Sequence, residues 1–472
     1  MSQSVSICVV GSGYVGLVAA VCFAEIGHDV ICVDNDAAKV ERLRSGQVPI
    51  FEHFLPELLA RHLNEGVTFT TDLASAVRAS EAIFIAVGTP QSATGSADLS
   101  YVEAVASEIS RSIDSYKVVV EKSTVPVYTN EWIKRVLERH GVAQEHFDIV
   151  SNPEFLREGT AVVDFLHPDR IVVGTTSPAA RDLMDRIYAP LTTGAYYSRA
   201  GSLPGPLSES EPAQILMTSA QTSEIIKHAS NAFLALKISF INAVAALCET
   251  VDADVRDVSI GMGMDGRIGP KFLRAGIGYG GSCFPKDLAA FRWIAEQQGV
   301  NFDLLAEVER INQRQKTAFF NKIRAALWTL RGKRIAALGL AFKGDTDDIR
   351  DSPAIDLIRM LHEAGCIMVA HDPAAMTRAA QVLPPGPQMS YVDDPYLAAQ
   401  DADALLILTD WQDYANLELE RLHSALRFPI IIDGRNLYEP DYMLSHGFTY
   451  LSVGRPSVRH VGDGLSGKLL LS

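Results

Sequence analysis

A short β-rich run, Ser4 to Val10 (S-V-S-I-C-V-V), passes at once into G-S-G-Y-V-G and then into L-V-A-A-V-C-F-A-E-I-G, whose apolar residues fall at helical period. Strand, tight turn and helix in that order predict the first unit of a parallel α/β sheet. Gly11 permits the turn, Gly13 lets a pyrophosphate approach the backbone, and Gly16 lets the helix pack on the strand, with the helix N-terminus facing the phosphates. Glycine spacing alone is a weak signal. Here a second strand, D-V-I-C-V-D, ends in Asp34, close to the spacing expected of a carboxylate that takes ribose hydroxyls. Together they predict a dinucleotide site rather than a structural turn beside a solvated aspartate. Asp34 also points to NAD over NADP, because a 2′-phosphate would meet a negative charge.

The alternation continues with A-I-F-I-A-V-G-T-P (Ala82 to Pro90) and K-V-V-V-E-K-S-T-V-P (Lys117 to Pro126). Ligands of open parallel sheets lie over the carboxyl ends of the strands, which places Thr89, Ser123 and Thr124 to touch cofactor or substrate. A further strand, F-D-I-V-S-N-P-E-F-L-R-E-G, brings Glu154 and Glu158 four apart, on one face if that segment is helical. Such a pair is either a solvated acidic face or part of a site, and its position at a strand end favours the site. Tyr196 to Ala213, dense in Ser, Pro and Gly, reads as a surface loop.

A long apolar helix follows, S-E-I-I-K-H-A-S-N-A-F-L-A-L-K-I-S-F-I-N-A-V-A-A-L-C-E, with Lys227 and Asn231 at i and i+4. Polar groups on one stripe of a buried helix are either paired structural groups or a site, and an ammonium is costly to bury without a purpose. Next, G-I-G-Y-G-G-S-C-F-P-K-D from Gly276 to Asp287 crowds four glycines around Cys283. Lys286 and Asp287 lie within one helical turn of the thiol if Pro285 opens a helix. A helix N-terminus and a nearby ammonium favour the nucleophilic thiolate. The other cysteines, Cys8, Cys22, Cys32, Cys248 and Cys366, sit in apolar runs as small core residues.

Asn301 to Leu330 reads as another long helix leading to a second α/β pattern. Its strand R-I-A-A-L-G-L is followed by the polar loop A-F-K-G-D-T-D-D-I-R-D-S-P-A, which lacks the full glycine fingerprint and so predicts a ligand other than a second dinucleotide. Lys343 and Arg350 are its anion-binding candidates, and a later strand, P-I-I-I-D-G-R-N, delivers Arg435. The tail after Val453 lacks periodicity and reads as disordered.

A chain of 472 residues that is 47% hydrophobic can fill two or more cores. The formal net charge of -15 disfavours nucleic acid and anionic membrane as partners. Six cysteines without a repeating spacing argue against a disulfide framework or a zinc site, and no metal is expected. No uninterrupted apolar run reaches bilayer length and no targeting signal is visible, so a reduced, cytoplasmic setting is expected.

In order along the chain, G-S-G-Y-V-G, V-D-N-D, A-V-G-T-P, K-S-T-V-P, N-P-E-F-L-R-E-G, D-R-I-V-V-G, K-H-A-S-N-A-F-L, G-M-D-G-R-I-G, G-Y-G-G-S-C-F-P-K-D, G-L-A-F-K-G-D-T-D-D-I-R and D-G-R-N resemble the UDP-glucose/GDP-mannose dehydrogenases. Departures are the length of Tyr196 to Ala213 and H-F-L at His53 to Leu55, where a proline-glycine pair is common. The resemblance implies two Rossmann-like doubly wound lobes joined by a long central helix: a NAD-binding domain at 1–200, a helical catalytic and dimerisation domain at 217–330, a UDP-sugar domain at 331–454 and a flexible tail at 455–472. It implies four-electron oxidation of a sugar C6 alcohol to a carboxylate with two NAD molecules, by way of a thiohemiacetal and thioester on Cys283. UDP-glucose is the expected sugar, with GDP-mannose and UDP-N-acetylmannosamine as alternatives. A silent nucleotide-sugar-binding protein is the rival of another class, disfavoured by the thiol, Lys227 and Asn231.

By the same resemblance Lys227 and Asn231 stabilise the oxyanion, Asp287 and Thr124 move protons through a water, and Glu154 or Glu158 positions water or holds Lys227. Tyr14, Val15, Lys39, Val87, Glu158, Lys286 and Arg350 join the cofactor set. Phe155, Leu156, Arg267, Arg274, Gly278, Tyr279, Gly280, Phe342, Lys343 and Arg435 join the substrate set. Arg267 would reach a neighbouring subunit, the loop from Arg274 to Gly280 would hold the nucleotide by its backbone, and the protein would be a homodimer or higher homo-oligomer.

Overall fold

The computed structural model describes residues 4–92, 95–205 and 211–459 and divides the chain into two compact units. The first runs to Ser230 and takes in Ala289–Gly299; the second holds Asn231–Leu288 and the chain from Val300 onward. Two of the three boundaries fall inside helices, Ala220–Val251 and Phe284–Gln297, and the third, after Gly299, lies between helices.

The first unit contains β1 (Ser6–Val10), β2 (Asp29–Val33), β3 (Val67–Thr70), β4 (Ala82–Ile85), β5 (Lys117–Glu121), β6 (Phe147–Ser151), β7 (Ile171–Gly174) and β8 (Ile215–Thr218). Their order in the sheet is β3-β2-β1-β4-β5-β6-β7-β8. All neighbours are parallel except β6 and β7, which meet antiparallel at Ser151 and Gly174. Helices cover both faces, so β4, β5 and β7 are buried along their whole length and read as continuous apolar runs rather than alternations. Phe23, on the helix Tyr14–Glu25, anchors one layer against Phe84, Phe165 and Tyr188.

The second unit contains β9 (Arg334–Leu338), β10 (Ile367–His371), β11 (Met389–Tyr391), β12 (Ala404–Ile407), β13 (Ile430–Asp433) and β14 (Thr449–Leu451). The order is β11-β10-β9-β12-β13-β14, parallel throughout. Strand order therefore reverses between β1 and β4 in one sheet and between β9 and β12 in the other, the place where open parallel sheets take their ligands.

Several expectations change. Residues 152–157 are not helical, so Glu154 and Glu158 do not share a helical face. The segment from Tyr196 is not a plain surface loop. Tyr196 is buried, its hydroxyl donates to Glu25 and accepts from the Leu203 amide, Arg199 pairs with Glu25, and Tyr197 stacks on His167. Residues 206–210 lie outside the described residues. The start of the expected tail is part of the fold: Arg455 is fully buried with its guanidinium on Asp254 and Glu439, and Val458 bridges to Tyr450. Residues 460–472 lie outside the described residues. Finally, the helix Ala220–Val251 is long and apolar enough to cross a bilayer by length and composition, although 44% of its most apolar window is buried in protein.

Candidate active site

In the first unit the turn after β1 has the strain the sequence demands. Gly11 sits at φ +100°, where a Cβ would stand 2.6 Å from the Ala86 carbonyl oxygen; a Cβ on Gly16 would stand 1.9 Å from the Gly11 carbonyl oxygen. Gly13 has open space where its Cβ would be, which is the room a pyrophosphate needs. Beyond β2, Asp34 accepts from the Ser12 amide and hydroxyl at 2.9 and 2.6 Å, from the Asp36 amide at 3.0 Å and from Lys39 at 3.0 Å. Burial works to raise this carboxyl, yet those hydrogen bonds prevail and hold it at about 2. These features fit a dinucleotide whose ribose meets an ionised carboxylate. Lys39 thus reaches the carboxylate expected to face the ribose. Tyr14 instead donates to Glu52 and accepts from the Gly159 amide, tying the first helix to the segment carrying Glu158.

The ends of β4 and β5 are stitched together. Thr89 donates to the Thr124 carbonyl at 2.9 Å and Ser123 to the Val87 carbonyl at 2.9 Å, so their hydroxyls hold the crevice wall. Past β6, Glu154 spans two partners. Lys227 bonds one oxygen at 2.9 Å and the Leu156 amide the other at 2.6 Å. Both charged side chains are about 5% exposed, at 4% for Lys227 and 6% for Glu154, so the ion pair is desolvated and each charge depends on the other. The Phe155 ring lies under the Arg170 guanidinium and 5.5 Å from the Lys227 ammonium.

In the second unit Cys283 directly precedes the helix Phe284–Gln297, whose Asp287 amide donates to the Cys283 carbonyl at 2.8 Å. The sulfur stands at the positive end of that helix, a place that stabilises negative charge. Among six free cysteines it alone is not buried. One turn on, Asp287 accepts from the Asn231 side-chain amide at 2.6 Å and pairs with Lys286 at 2.9 Å. Thiol, carboxylate, carboxamide and ammonium are therefore carried within one helical turn and its partner.

The glycine loop is pinned from several sides. Asn312 accepts from the Tyr279 amide and donates to its carbonyl, both at 2.9 Å; Asn242 takes the Gly276 amide and Gln315 donates to the Gly276 carbonyl. The Ile277 amide bonds Gly434 and the Gly281 amide bonds Arg350. A Cβ at Gly280 would stand 2.1 Å from the Asp351 carbonyl oxygen, so only glycine fits. Since the amides of Gly276, Ile277, Tyr279 and Gly281 serve the protein itself, the expected backbone grip on a nucleotide is narrower than the sequence implies. Asn242 is a polar residue in an apolar helix, while Asn312 and Gln315 lie in the polar run N-Q-R-Q-K, where nothing in the local sequence singles them out from solvated neighbours.

At the strand ends of this sheet, Arg435 donates to the Leu408 carbonyl at 2.8 Å and the Phe342 carbonyl at 2.7 Å. Burial pulls the guanidinium down while Asp410 and Asp433 oppose it. Lys343 lies beside the Phe342 ring. Arg350 is clasped by Asp348 through both carboxylate oxygens, while Arg267 is clasped by Asp265 at the surface and Arg274 is exposed. Gly339, at φ +100° with its amide on the His371 carbonyl, repeats the backbone of Gly11. The position matching Asp34 is Asp372, but it is fully buried and accepts from the amides of Leu340, Ala341, Ala374 and Ala375. Four amides on two oxygens leave this carboxylate occupied by the chain itself, unlike Asp34, in keeping with the missing glycine fingerprint. Among the described residues no group of acidic, histidine and cysteine side chains could hold a metal.

Three family models cover most of the chain: the NAD binding domain of the UDP-glucose/GDP-mannose dehydrogenase family at residues 5–192, its central domain at 221–314 and its UDP binding domain at 336–440. The chain belongs to the UDP-glucose/GDP-mannose dehydrogenase family. It is 46% identical to a UDP-glucose 6-dehydrogenase of Rhizobium meliloti, over 95% of this chain and 99% of that one. It is 44% identical to one of Bacillus subtilis, over 96% and 94%. A UDP-glucose dehydrogenase structure from Pyrobaculum islandicum superposes with a TM-score of 0.85 at 37% identity, covering 96% of this chain and 98% of that one. Membership in this dehydrogenase family agrees with the α/β fold, the NAD-binding lobe and the nucleotide-sugar lobe expected from the motifs.

Proposed function

We propose that this chain oxidises UDP-glucose at C6 to UDP-glucuronate in two NAD-dependent steps joined by a covalent adduct on Cys283. The observation that carries the reading is the partly exposed thiol at a helix N-terminus, with Lys286 and Asp287 within a turn of it and Asn231 of the helix Ala220–Val251 bonded to Asp287. NAD, when bound, takes up one hydride in each oxidation. The first turns the C6 alcohol into an aldehyde and releases a proton. The Cys283 thiolate then adds to the carbonyl carbon, giving a thiohemiacetal whose oxyanion Lys227 and Asn231 stabilise. Loss of the second hydride leaves a thioester, and water cleaves it to the acid and the free thiol. Asp287 and Thr124 serve the proton transfers through a water. Glu154 holds Lys227, so positioning of water falls to Glu158. Arg435 and Lys343 neutralise the diphosphate at the second sheet.

The two relatives at 44% and 46% identity support UDP-glucose as the sugar, whereas a UDP-D-ManNAc dehydrogenase structure from Pyrococcus horikoshii stands at 26%. The test is a panel of UDP-glucose, GDP-mannose and UDP-N-acetylmannosamine with NAD, followed by absorbance of the reduced cofactor. UDP-glucose should give two NADH per sugar and the others little; turnover of another sugar at a higher kcat/KM would replace this reading. We further propose a homodimer built on the helix Ala220–Val251 and a cytoplasmic setting. Phe233, Phe240 and Leu247 lie exposed seven residues apart, and Val251, Ile260 and Met264 are exposed nearby, which supports an apolar seam for a second copy.

A further inference from the structure

The segment Ser123–Asn130, which carries Thr124, is held along its length by buried side chains. Glu121 accepts from the Ser123 amide at 2.7 Å. Thr89 holds the Thr124 carbonyl. His228, its ring stacked on Phe291, bonds the Val125 carbonyl at 2.8 Å. Glu224 accepts from the Tyr128 amide with one oxygen at 2.8 Å and from the Asn130 amide with the other at 3.2 Å. Those two amides open the helix Thr129–Arg139, whose own N-cap residue, Tyr128, supplies no side-chain bond and sits in the left-handed region at φ 76°. Glu224 is thus the cap of a helix it does not belong to. Glu224 and His228 are also i and i+4 on the helix Ala220–Val251, and Lys227 lies between them.

We propose that Glu224 is a positioning residue for the oxidation: with His228 it clamps the Thr124 segment to the helix that carries Lys227, and so fixes the proton-transfer group against the oxyanion group. The inference rests on the role proposed above for Thr124. Glu224 touches neither substrate nor cofactor in this account and acts through the loop. Its clamp is strongest when ionised, because a carboxylate accepts two amide bonds better than a neutral acid. Burial pushes Glu224 up to about 7, against the Tyr128 and Asn130 amides and helped by the charge of Glu131. The titratable groups that bear on it are Glu121 on β5 and Glu131 on the capped helix, both carboxyls, while His228 and Lys227 follow it on its own helix. The clamp therefore loosens as pH falls through about 7.

The test is a double-mutant cycle of Glu224→Gln and Thr124→Ala in the full-length enzyme, with kcat, KM for each substrate, thermal unfolding and pH profiles. Glu224→Gln should lower kcat by roughly tenfold or more, as misplacing a proton-transfer group does, with the KM for NAD nearly unchanged. Wild-type kcat should show a limb near pH 7 that Glu224→Gln lacks. In the Thr124→Ala background Glu224→Gln should cost less than about twofold more, because the two act as one unit. Full additivity, or a kcat that tracks the folded fraction alone, overturns the clamp while leaving Thr124 in place. Wild-type kcat from Thr124→Ala overturns the role of Thr124 itself. If Glu224→Gln does not fold, Glu224→Asp, which keeps the charge on a shorter stem, carries the same cycle.

Discussion

At the scale of single residues, Cys283 stands apart as the one cysteine of six that is not buried, which supports the covalent route proposed for it. Cys283→Ala should leave NAD and nucleotide-sugar binding near normal while acid formation falls on the order of 10²-fold or more, the loss expected when a covalent route is removed. Mass spectrometry of the sugar product reads this directly; acid formed at an undiminished rate would make an aldehyde hydrate the species oxidised. Glu121 offers a second residue-level prediction, about stability. Burial pushes it up to about 8, although the Ser123 amide and hydroxyl pull it down. Its folded value lies above its unfolded value, so its contribution is present below about pH 4.5 and is lost as pH rises to about 8. Glu121→Gln, neutral at every pH, should therefore raise the melting temperature more at pH 8.5 than at pH 5.5. An equal change at both would show that Glu121 is ionised throughout.

Among elements, those set by local pattern were legible in the sequence. Gly11, Gly13 and Gly16 announce a strand-turn-helix, and a run such as A-I-F-I announces a strand covered on both faces. What sequence could not carry is pairing across distance. The Ser, Pro and Gly content of Tyr196 to Ala213 spoke for a loop, and the segment lacks regular structure, yet Tyr196 and Arg199 reach a carboxylate, Glu25, on a helix some 170 positions away. Glu25 is fully buried and is also held by Arg61 and His62. Hence the segment is expected to contribute to stability. Arg199→Ala should cost on the order of 1–3 kcal/mol by removing a hydrogen bond to a charged buried group, read as a lower melting temperature; an unchanged value would return the segment to the surface. Asn312 and Glu224 escaped notice for the same reason, since nothing in their neighbourhoods marks them until the loops they hold are in place.

For the whole molecule, the open question of assembly follows from the exposed apolar seam of Phe233, Phe240 and Leu247. Phe240→Glu should convert a dimer to monomer in sedimentation at micromolar concentration, because two charges would be buried against apolar partners. A monomeric wild type would leave the seam to another role. The two sheets share a strand order but not a chemistry, and that divergence was half legible: the missing glycine fingerprint in the second told that its ligand differs, while the four amides that occupy Asp372 are contacts no spacing reveals.

The uneven exposure of the cysteines makes this protein its own counter. Five thiols are shut in the core and one is not, so a thiol-specific alkylating reagent applied to the folded protein should label one sulfur per chain quickly and the rest only after denaturation. With the role proposed for Cys283, the fast fraction would count the competent sites in a preparation. Storage under air would erode that number before any change in fold, since an accessible thiolate enters the oxidation ladder first, and a reducing agent that restores the fast fraction would separate reversible loss from permanent damage.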